Sequence, residues 1–229
     1  MSRRILITAG SSREMIDRVR DWGNIFTGNT GFNIAQAFVE AGAQVDLITS
    51  NAAHLVPRPS SLATTPYRSH RDLIDAIATK LRESTYNAVF MTAAVADYAP
   101  AGAFEVVSRE PQADGTERWI VRTADKPKVT SQLKQLAVLG DPTEKIVDKF
   151  RRDWHYRGLL VKFKLEVGLS REQLVAVGQK SRVHSGADYL VANTLDMVDG
   201  ANAGAILLGD GVEEFVPRSE LATRLTRLL

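Results

Sequence analysis

Residues 4–49 read RILITAGSSREMIDRVRDWGNIFTGNTGFNIAQAFVEAGAQVDLIT, and their order decides the fold class. Arg4 to Thr8 is a short, β-rich apolar run ended by Ala9-Gly10, which predicts a buried strand. Phe32 to Ala41 sets Ile34, Phe38 and Val39 at helical spacing, and Gly42 supplies a C-cap. Gln44 to Thr49 predicts a second strand. Strand, helix and strand with a short second connection imply a parallel pair joined by a right-handed crossover. The first connection is the unusual one. Such loops run about 2–6 residues in compact α/β units, yet here Ala9 to Asn29 intervenes, dense in polar side chains.

Outward from that unit the alternation continues. Leu73, Ile74, Ile77 and Leu81 form an apolar stripe over Asp72 to Arg82, followed by a buried strand over Asn87 to Thr92. The pattern then changes. Glu105 to Val121, with Asp114-Gly115 inside it, predicts a β-hairpin with a polar tip, and Pro127 to Leu139 adds strand and loop. Thr143 to Trp154 predicts a helix with Pro142 near its start. Leu159 to Val167 predicts a strand, and Ser170 to Gln173 opens a helix with a capping box. Strands over Tyr189 to Asn193 and Ala205 to Leu208 and a helix over Ser219 to Leu229 complete the chain. The expectation is an α/β fold: a Rossmann-like, doubly wound, mostly parallel sheet, with residues 1–229 as one domain and an inserted hairpin and flap at about 99–140.

Composition narrows the function classes. Twenty-nine basic and 27 acidic residues give a formal charge of +2, with no basic stripe for nucleic acid. No run approaches the roughly 18 apolar residues of a membrane span, and Ile5-Leu6-Ile7 is too short for a signal peptide. A cytoplasmic protein is the expectation. With no cysteine, disulfides, thiolate metal sites and a cysteine nucleophile are all excluded. His54, His70, His155 and His184 stand apart with no metal-ligand spacing, so each is expected to be structural or superficial.

Two segments carry the candidate chemistry. Gly28-Asn29-Thr30-Gly31 sits at the mouth of the first helix, where glycines admit close approach and free N–H groups favour an anion. Ala93-Ala94-Val95-Ala96-Asp97-Tyr98 follows the third strand, at the carboxyl end where open sheets bind ligands. Lys126, Lys128 and Lys134 form a basic cluster after the hairpin. Lys162, Lys164 and Glu166 alternate with Phe163 and Leu165, as in a half-exposed strand. Gly209-Asp210-Gly211 reads as a turn.

Taken in order, these segments resemble the phosphopantothenate–cysteine ligase family of coenzyme A synthesis. Thr8 to Arg20 (TAGSSREMIDRVR) is similar to the family's opening motif, and Asn24 to Gly31 (NIFTGNTG) to its Asn-x-Ser-Ser/Thr-Gly-x-x-Gly. Ala93 to Tyr98 matches Ala-Ala-Val-Ala/Ser-Asp-Tyr. Lys128-Val129-Thr130-Ser131 resembles Lys-Ile-Ser-Ser, Lys162 to Leu165 the Gly-Phe-Lys-Leu segment, and Asp188 to Asn193 the Asp-x-Ile-x-Ala-Asn segment. The departures are Ser11-Ser12, Phe26, Lys162 in place of a glycine, and His184 where a second helix lysine is common.

The resemblance implies a ligase that joins 4′-phosphopantothenate to L-cysteine through an acyl-nucleotide, using CTP or ATP and Mg²⁺, with no flavin. It further implies a homodimer built partly through the inserted strands. The length implies the ligase domain alone, without a fused decarboxylase. Asn24 would hold the acyl intermediate and Lys128 on the flap would reach the phosphates, Lys126 being the alternative flap lysine. Gly10, Ser11, Ser12, Gly28 and Gly31 fall in the nucleotide-binding loop, and Ala94 and Asp97 would meet the nucleotide. Glu144, Lys145, Ile146 and Val147 match a nucleotide-contacting helix start. Phe163 would pack on the base, while Lys180 would face the triphosphate with His184 one turn on. No protein metal ligand is assigned. The competing readings are an NAD(P)-dependent Rossmann oxidoreductase, against which the missing fingerprint glycines and the missing Tyr-x-x-x-Lys count, and a non-catalytic nucleotide-binding relative of the ligase.

Overall fold

The structure is a computed structural model that describes residues 2–55, 59–124, 127–200 and 203–229. Lys126 lies outside the described residues. In chain order the elements are β1 (Arg4–Ala9), β2 (Arg13–Met15), β3 (Asp21–Gly23), α1 (Asn29–Glu40), β4 (Gln44–Thr49), β5 (Leu62–Pro66), α2 (His70–Glu83) and β6 (Ala88–Met91). There follow β7 (Tyr98–Pro111), β8 (Glu117–Thr123), β9 (Leu136–Pro142), α3 (Ile146–Arg152), β10 (Leu159–Glu166), α4 (Arg171–Ser185), β11 (Tyr189–Thr194), β12 (Gly204–Gly209), β13 (Val212–Pro217) and α5 (Arg218–Thr226).

Eight strands form the main sheet in the order β13-β12-β11-β10-β6-β1-β4-β5. From β5 to β11 every pair is parallel; β12 and β13 add an antiparallel edge. The chain starts at β1, runs outward through β4 and β5, then returns to β6 on the other side. The β1–β6 junction is therefore the topological switch point, the place where such sheets leave a crevice.

Alternation along the strands sorts the core. Ile5 and Ile7 of β1, with Phe90 and Val161, pack against Ile34 and Phe38 of α1 and Leu221 and Leu225 of α5. Leu6, Val89 and Leu160 face the opposite side, against Leu73 and Ile77 of α2 and Ile146 and Phe150 of α3. Leu174 of α4 packs on Leu190 and Leu208 on that same side. Each large apolar side chain taken fully from water contributes about 1.5–3 kcal/mol, which is why this period-two pattern fixes the register.

Several sequence expectations are adjusted. The first connection is not irregular throughout, because β2 and β3 pair as a short antiparallel hairpin inside it. The inserted arm begins earlier than expected: β7 starts at Tyr98 and pairs antiparallel with both β8 and β9. Pro142 ends β9 opposite Tyr98 instead of opening a helix, and α3 starts at Ile146, with Lys145 at its N-cap. Ladder pairing across the sheet outweighs the local helix signal there. β10 is a central strand between β6 and β11, and its Lys162–Glu166 half is partly exposed as expected. The capping box at Ser170 and Gln173 is present, and the Asp210-Gly211 turn joins β12 to β13.

Candidate functional site

The junction of β1 with α1 is packed backbone on backbone. Gly28 has φ +81°, and a Cβ there would stand 2.0 Å from Gly10 N. Gly10 has φ +85°, and its Cβ would meet Ser50 Oγ at 2.1 Å. A Cβ on Gly31 would meet Thr92 Oγ1 at 2.2 Å and Ala9 Cβ at 2.9 Å. The three glycines thus let the end of β1, the start of α1 and the end of β6 converge. The loop after β4 braces both turns: Ser11 N–H donates to Ser50 Oγ (2.9 Å), and Asn51 Nδ2 donates to Thr27 O (2.9 Å). His54, 3% exposed, stacks on Phe32 and lies 3.2 Å from Asn29 Oδ1, so the expected structural role for this histidine is what the fold shows.

Above this junction opens a cleft of about 940 Å³. One wall is Ile25 to Gly31; Ala93 and Ala94 form its base. Phe163, Leu165 and Asn193 line it from β10 and β11, and Arg218 and Ser219 from the start of α5. α1 has no side-chain cap and no acidic residue in its first turn. Its leading N–H groups have no intrahelical acceptor, and the helix dipole adds partial positive charge. That wall suits an anion.

The Ala94–Asp97 loop is pinned from three directions. Ala94 N–H donates to Gly10 O (2.8 Å), and Ala94 O accepts Ser12 N–H and Asn24 Nδ2, both at 3.2 Å. Ala96 N–H donates to the buried Ser12 Oγ (2.8 Å), and Ala96 O accepts Thr143 Oγ1–H (2.6 Å). The Ser12 hydroxyl, which departs from the family pattern, therefore acts in holding the loop. Asn24 is exposed beside it, with one amide hydrogen engaged on Ala94 O.

The remaining candidates lie on the other side of the sheet, between α3 and α4. Lys145 Nζ meets Asp97 Oδ1 at 2.5 Å, both well exposed. His184 Nε2 is 3.6 Å from Asp148 Oδ2. Glu144 pairs with Lys149, and its carbonyl accepts His70 Nε2–H (2.7 Å). Ile146 is buried in the core, and Val147 packs beside it. Lys180 is exposed on α4. Lys162 points under α4, where Nζ donates to Ser181 Oγ (3.0 Å) and O (3.3 Å). Burial, together with Lys164 and Lys145, pushes its ammonium below the ordinary lysine value, against the pull of Asp148.

The structure thus divides the expected site. Gly10, Gly28, Gly31, Ala94 and Phe163 line the cleft on the α1 side. Asp97, Glu144, Lys145, Lys180 and His184 belong to the charged α3–α4 side, and the Ala94–Asp97 loop runs between the two. Lys128 is exposed on a segment beside the β2–β3 turn, away from the cleft lining. Sequence reading missed Ser50, Asn51, Thr92, Asn193 and Arg218. The first four lie at or just beyond the carboxyl ends of parallel strands, a position that signals ligand contact once strand order is known. Among the described residues no group of three His, Asp or Glu gathers that could hold a metal ion, and no helix is long and apolar enough to cross a membrane.

Residues 1–106 match the family model described as the DNA/pantothenate metabolism flavoprotein C-terminal domain. The coenzyme A biosynthesis bifunctional protein CoaBC of Thermococcus kodakarensis is 31% identical over 229 residues, covering 97% of this chain and 50% of that protein. The chain thus spans about half the length of this relative. The DNA/pantothenate metabolism flavoprotein from Streptococcus pneumoniae superposes with a TM-score of 0.82 at 25% identity, covering 99% of this chain and 97% of that one. The C-terminal domain of a CoaBC protein has the same fold, with a TM-score of 0.69 at 23% identity over 99% of this chain and 93% of that one.

Proposed function

We propose that this chain, similar over residues 1–106 to the DNA/pantothenate metabolism flavoprotein C-terminal domain and over nearly its whole length to half of a CoaBC protein, belongs to the phosphopantothenate–cysteine ligase family and joins 4′-phosphopantothenate to L-cysteine with cleavage of a nucleoside triphosphate, CTP or ATP. The single observation that carries this reading is the cleft at the sheet's switch point. It combines an uncapped helix N-terminus, a backbone-lined floor and one aromatic, Phe163, on the facing strand. Phosphates suit the N–H groups of the α1 turn, and the flat face of a base suits Phe163.

Two steps follow. The substrate carboxylate attacks the α-phosphorus and pyrophosphate leaves, giving an acyl-nucleotide. The cysteine amine then attacks the acyl carbon and the nucleoside monophosphate leaves. Asn24, whose amide already reaches the Ala94 carbonyl, stands where its second N–H is free to hold the acyl oxygen. It does so without a full charge that would trap the intermediate. Lys164 and Arg218 line the cleft and offset charge on phosphates held at the α1 turn, whereas Lys128 and the α3–α4 lysines lie outside its lining and act on a triphosphate that extends past the Ala94–Asp97 loop. Asp199 is the one carboxylate lining the cleft among the described residues, which fits Mg²⁺ arriving on the triphosphate, since that ion is usually held by phosphate oxygens, waters and one or two carboxylates. Bound there, Mg²⁺ would neutralise part of the triphosphate charge.

The arm of β7, β8 and β9 supports a homodimer. Val107, Trp119, Ile120, Val121, Leu136 and Leu139 are all exposed on it, more apolar surface than an isolated three-stranded arm keeps in water without a partner. The deciding experiment mixes folded protein with phosphopantothenate, cysteine, Mg²⁺ and either CTP or ATP, and follows pyrophosphate. Release that depends on phosphopantothenate is the expected result. No release with either nucleotide refutes the reading. Asn24→Ala should fold normally and ligate poorly.

A further inference from the structure

The segment that carries Lys128 is fastened at a defined place. Arg18 N–H donates to Pro127 O (3.0 Å). Val129 N–H donates to Asp17 Oδ2 (3.1 Å), and Arg20 Nη2 donates to Val129 O (2.5 Å). Asp17 is locked from its other side as well. Its Oδ1 accepts the N–H groups of Val19 (2.8 Å) and Arg20 (2.9 Å), and its Oδ2 accepts Arg20 Nε (3.0 Å) and Nη2 (2.6 Å). Although it sits in a surface turn, the Asp17 side chain is only 1% exposed, and Val129 is 2% exposed. Lys128 between them is exposed.

A carboxylate withdrawn from water needs its oxygens satisfied by donors. The turn satisfies Oδ1 with its own backbone. The backbone donor to Oδ2 comes from the arm, more than a hundred residues on. We propose that Asp17 and Arg20 form a latch that docks residues 127–129 onto the β2–β3 turn and so sets where Lys128 stands. Both are positioning residues. The turn continues through β3 directly into Asn24, so one rigid hairpin fixes the flap lysine and the acyl-holding amide relative to each other. The N–H of Val19 foremost, then those of Val129 and Arg20, hold the Asp17 carboxyl down at about 2 against the effect of its burial. The latch is therefore ionised at any pH used for assay. The role of Lys128 rests on the ligase reading; the docking does not.

The test has two arms. In the unmodified protein, the Val129 amide is followed by hydrogen exchange, and native-state trypsin cleavage after Lys128 is timed. Protection of Val129 is expected; exchange at the rate of an unstructured peptide overturns the latch without any variant. In Asp17→Asn, cleavage after Lys128 should accelerate about tenfold, and an unchanged rate in a folded variant also overturns it. The second arm measures ligation by Asp17→Asn, Lys128→Ala and the double variant. If Asp17 acts through Lys128, the double variant is no slower than Lys128→Ala alone. Effects that multiply would make Asp17 merely structural. Were the unmodified protein to release no pyrophosphate, the ligase reading would fail, and the exchange and proteolysis results would still decide the latch.

Discussion

The two sides of the sheet at the tips of β6 and β10 are built on opposite principles. On the α1 side the cleft floor is backbone, at Gly10, Gly28, Gly31 and Ala94, with Phe26 and Phe163 beside it and Lys164, Asp199 and Arg218 at its walls. On the α3–α4 side the same strands end among side-chain charges: Asp97 with Lys145, Asp148 with His184, and Lys162 beneath Ser181. Backbone donors are fixed by the fold and cost no reorganisation when an anion arrives. Charged side chains are strong but mobile, and at the surface they are screened by water and salt. Rigidity is thus supplied mainly on one side and charge on the other, and the loop from Ala94 to Asp97 runs between them.

Breaking the backbone side should have the largest effect. Gly28→Ala adds a methyl 2.0 Å from Gly10 N at a positive φ, so a loss of about 3 kcal/mol is expected, with nucleotide affinity falling at least as far. Thermal unfolding and calorimetric titration with CTP and ATP check it. A fully stable variant with intact binding would mean that the close approach of β1 and α1 is dispensable.

Ser12→Ala tests the strip between the two sides. It removes the acceptor of Ala96 N–H inside a closely packed turn, at about 1–2 kcal/mol. Turnover should fall on both half-reactions, because the loop touches Asn24 at one end and Asp97 near the other. An unchanged melting temperature would count against the pinned loop.

Lys162→Met addresses the charged side. The folded pKa of Lys162 is lowered, chiefly by burial. Its charged form is thus disfavoured by folding at neutral pH, and the penalty is relieved as pH rises from the folded pKa towards the unfolded value. The variant should melt slightly higher than the parent at pH 7, and the gap should close towards pH 10. If triphosphate affinity nevertheless falls, Lys162 meets the phosphates; unchanged affinity restricts it to packing.

Lys145→Met should change stability least. Its partner Asp97 and its own side chain are both about two-thirds exposed, and such pairs contribute roughly 0–1 kcal/mol. A marked loss of nucleotide affinity with an unchanged melting curve would separate binding from folding on this side. A loss of stability above that range would show the pair to be structural.

Parts of this architecture are legible in the chain. The strands β1, β4 and β10, the capping box at Ser170 and the polar tip at Asp114-Gly115 rest on local periodicity and turn chemistry, which short windows of sequence carry. Gly10, Gly28 and Gly31 are visible as unusual glycines, but a sequence cannot say that they serve one junction; they are separated by up to 21 residues and brought together by the packing of the start of α1 on the end of β1. Pro142 misleads for the same reason. Its local meaning is a helix start, and its actual place is decided by pairing with Tyr98 across the arm.

What the sequence determined by itself is the α/β class, the first βαβ unit and the motifs that carry the family resemblance, since each depends on residues close in the chain. What only the tertiary structure decided is how the candidate residues divide. Alternation along β10 sends Phe163 to one side of the sheet and Lys162 to the other, and Asp17 meets Val129 only because the arm folds back over the β2–β3 hairpin. Strand order and long-range docking are global outcomes of burial and backbone satisfaction, and no local pattern encodes them.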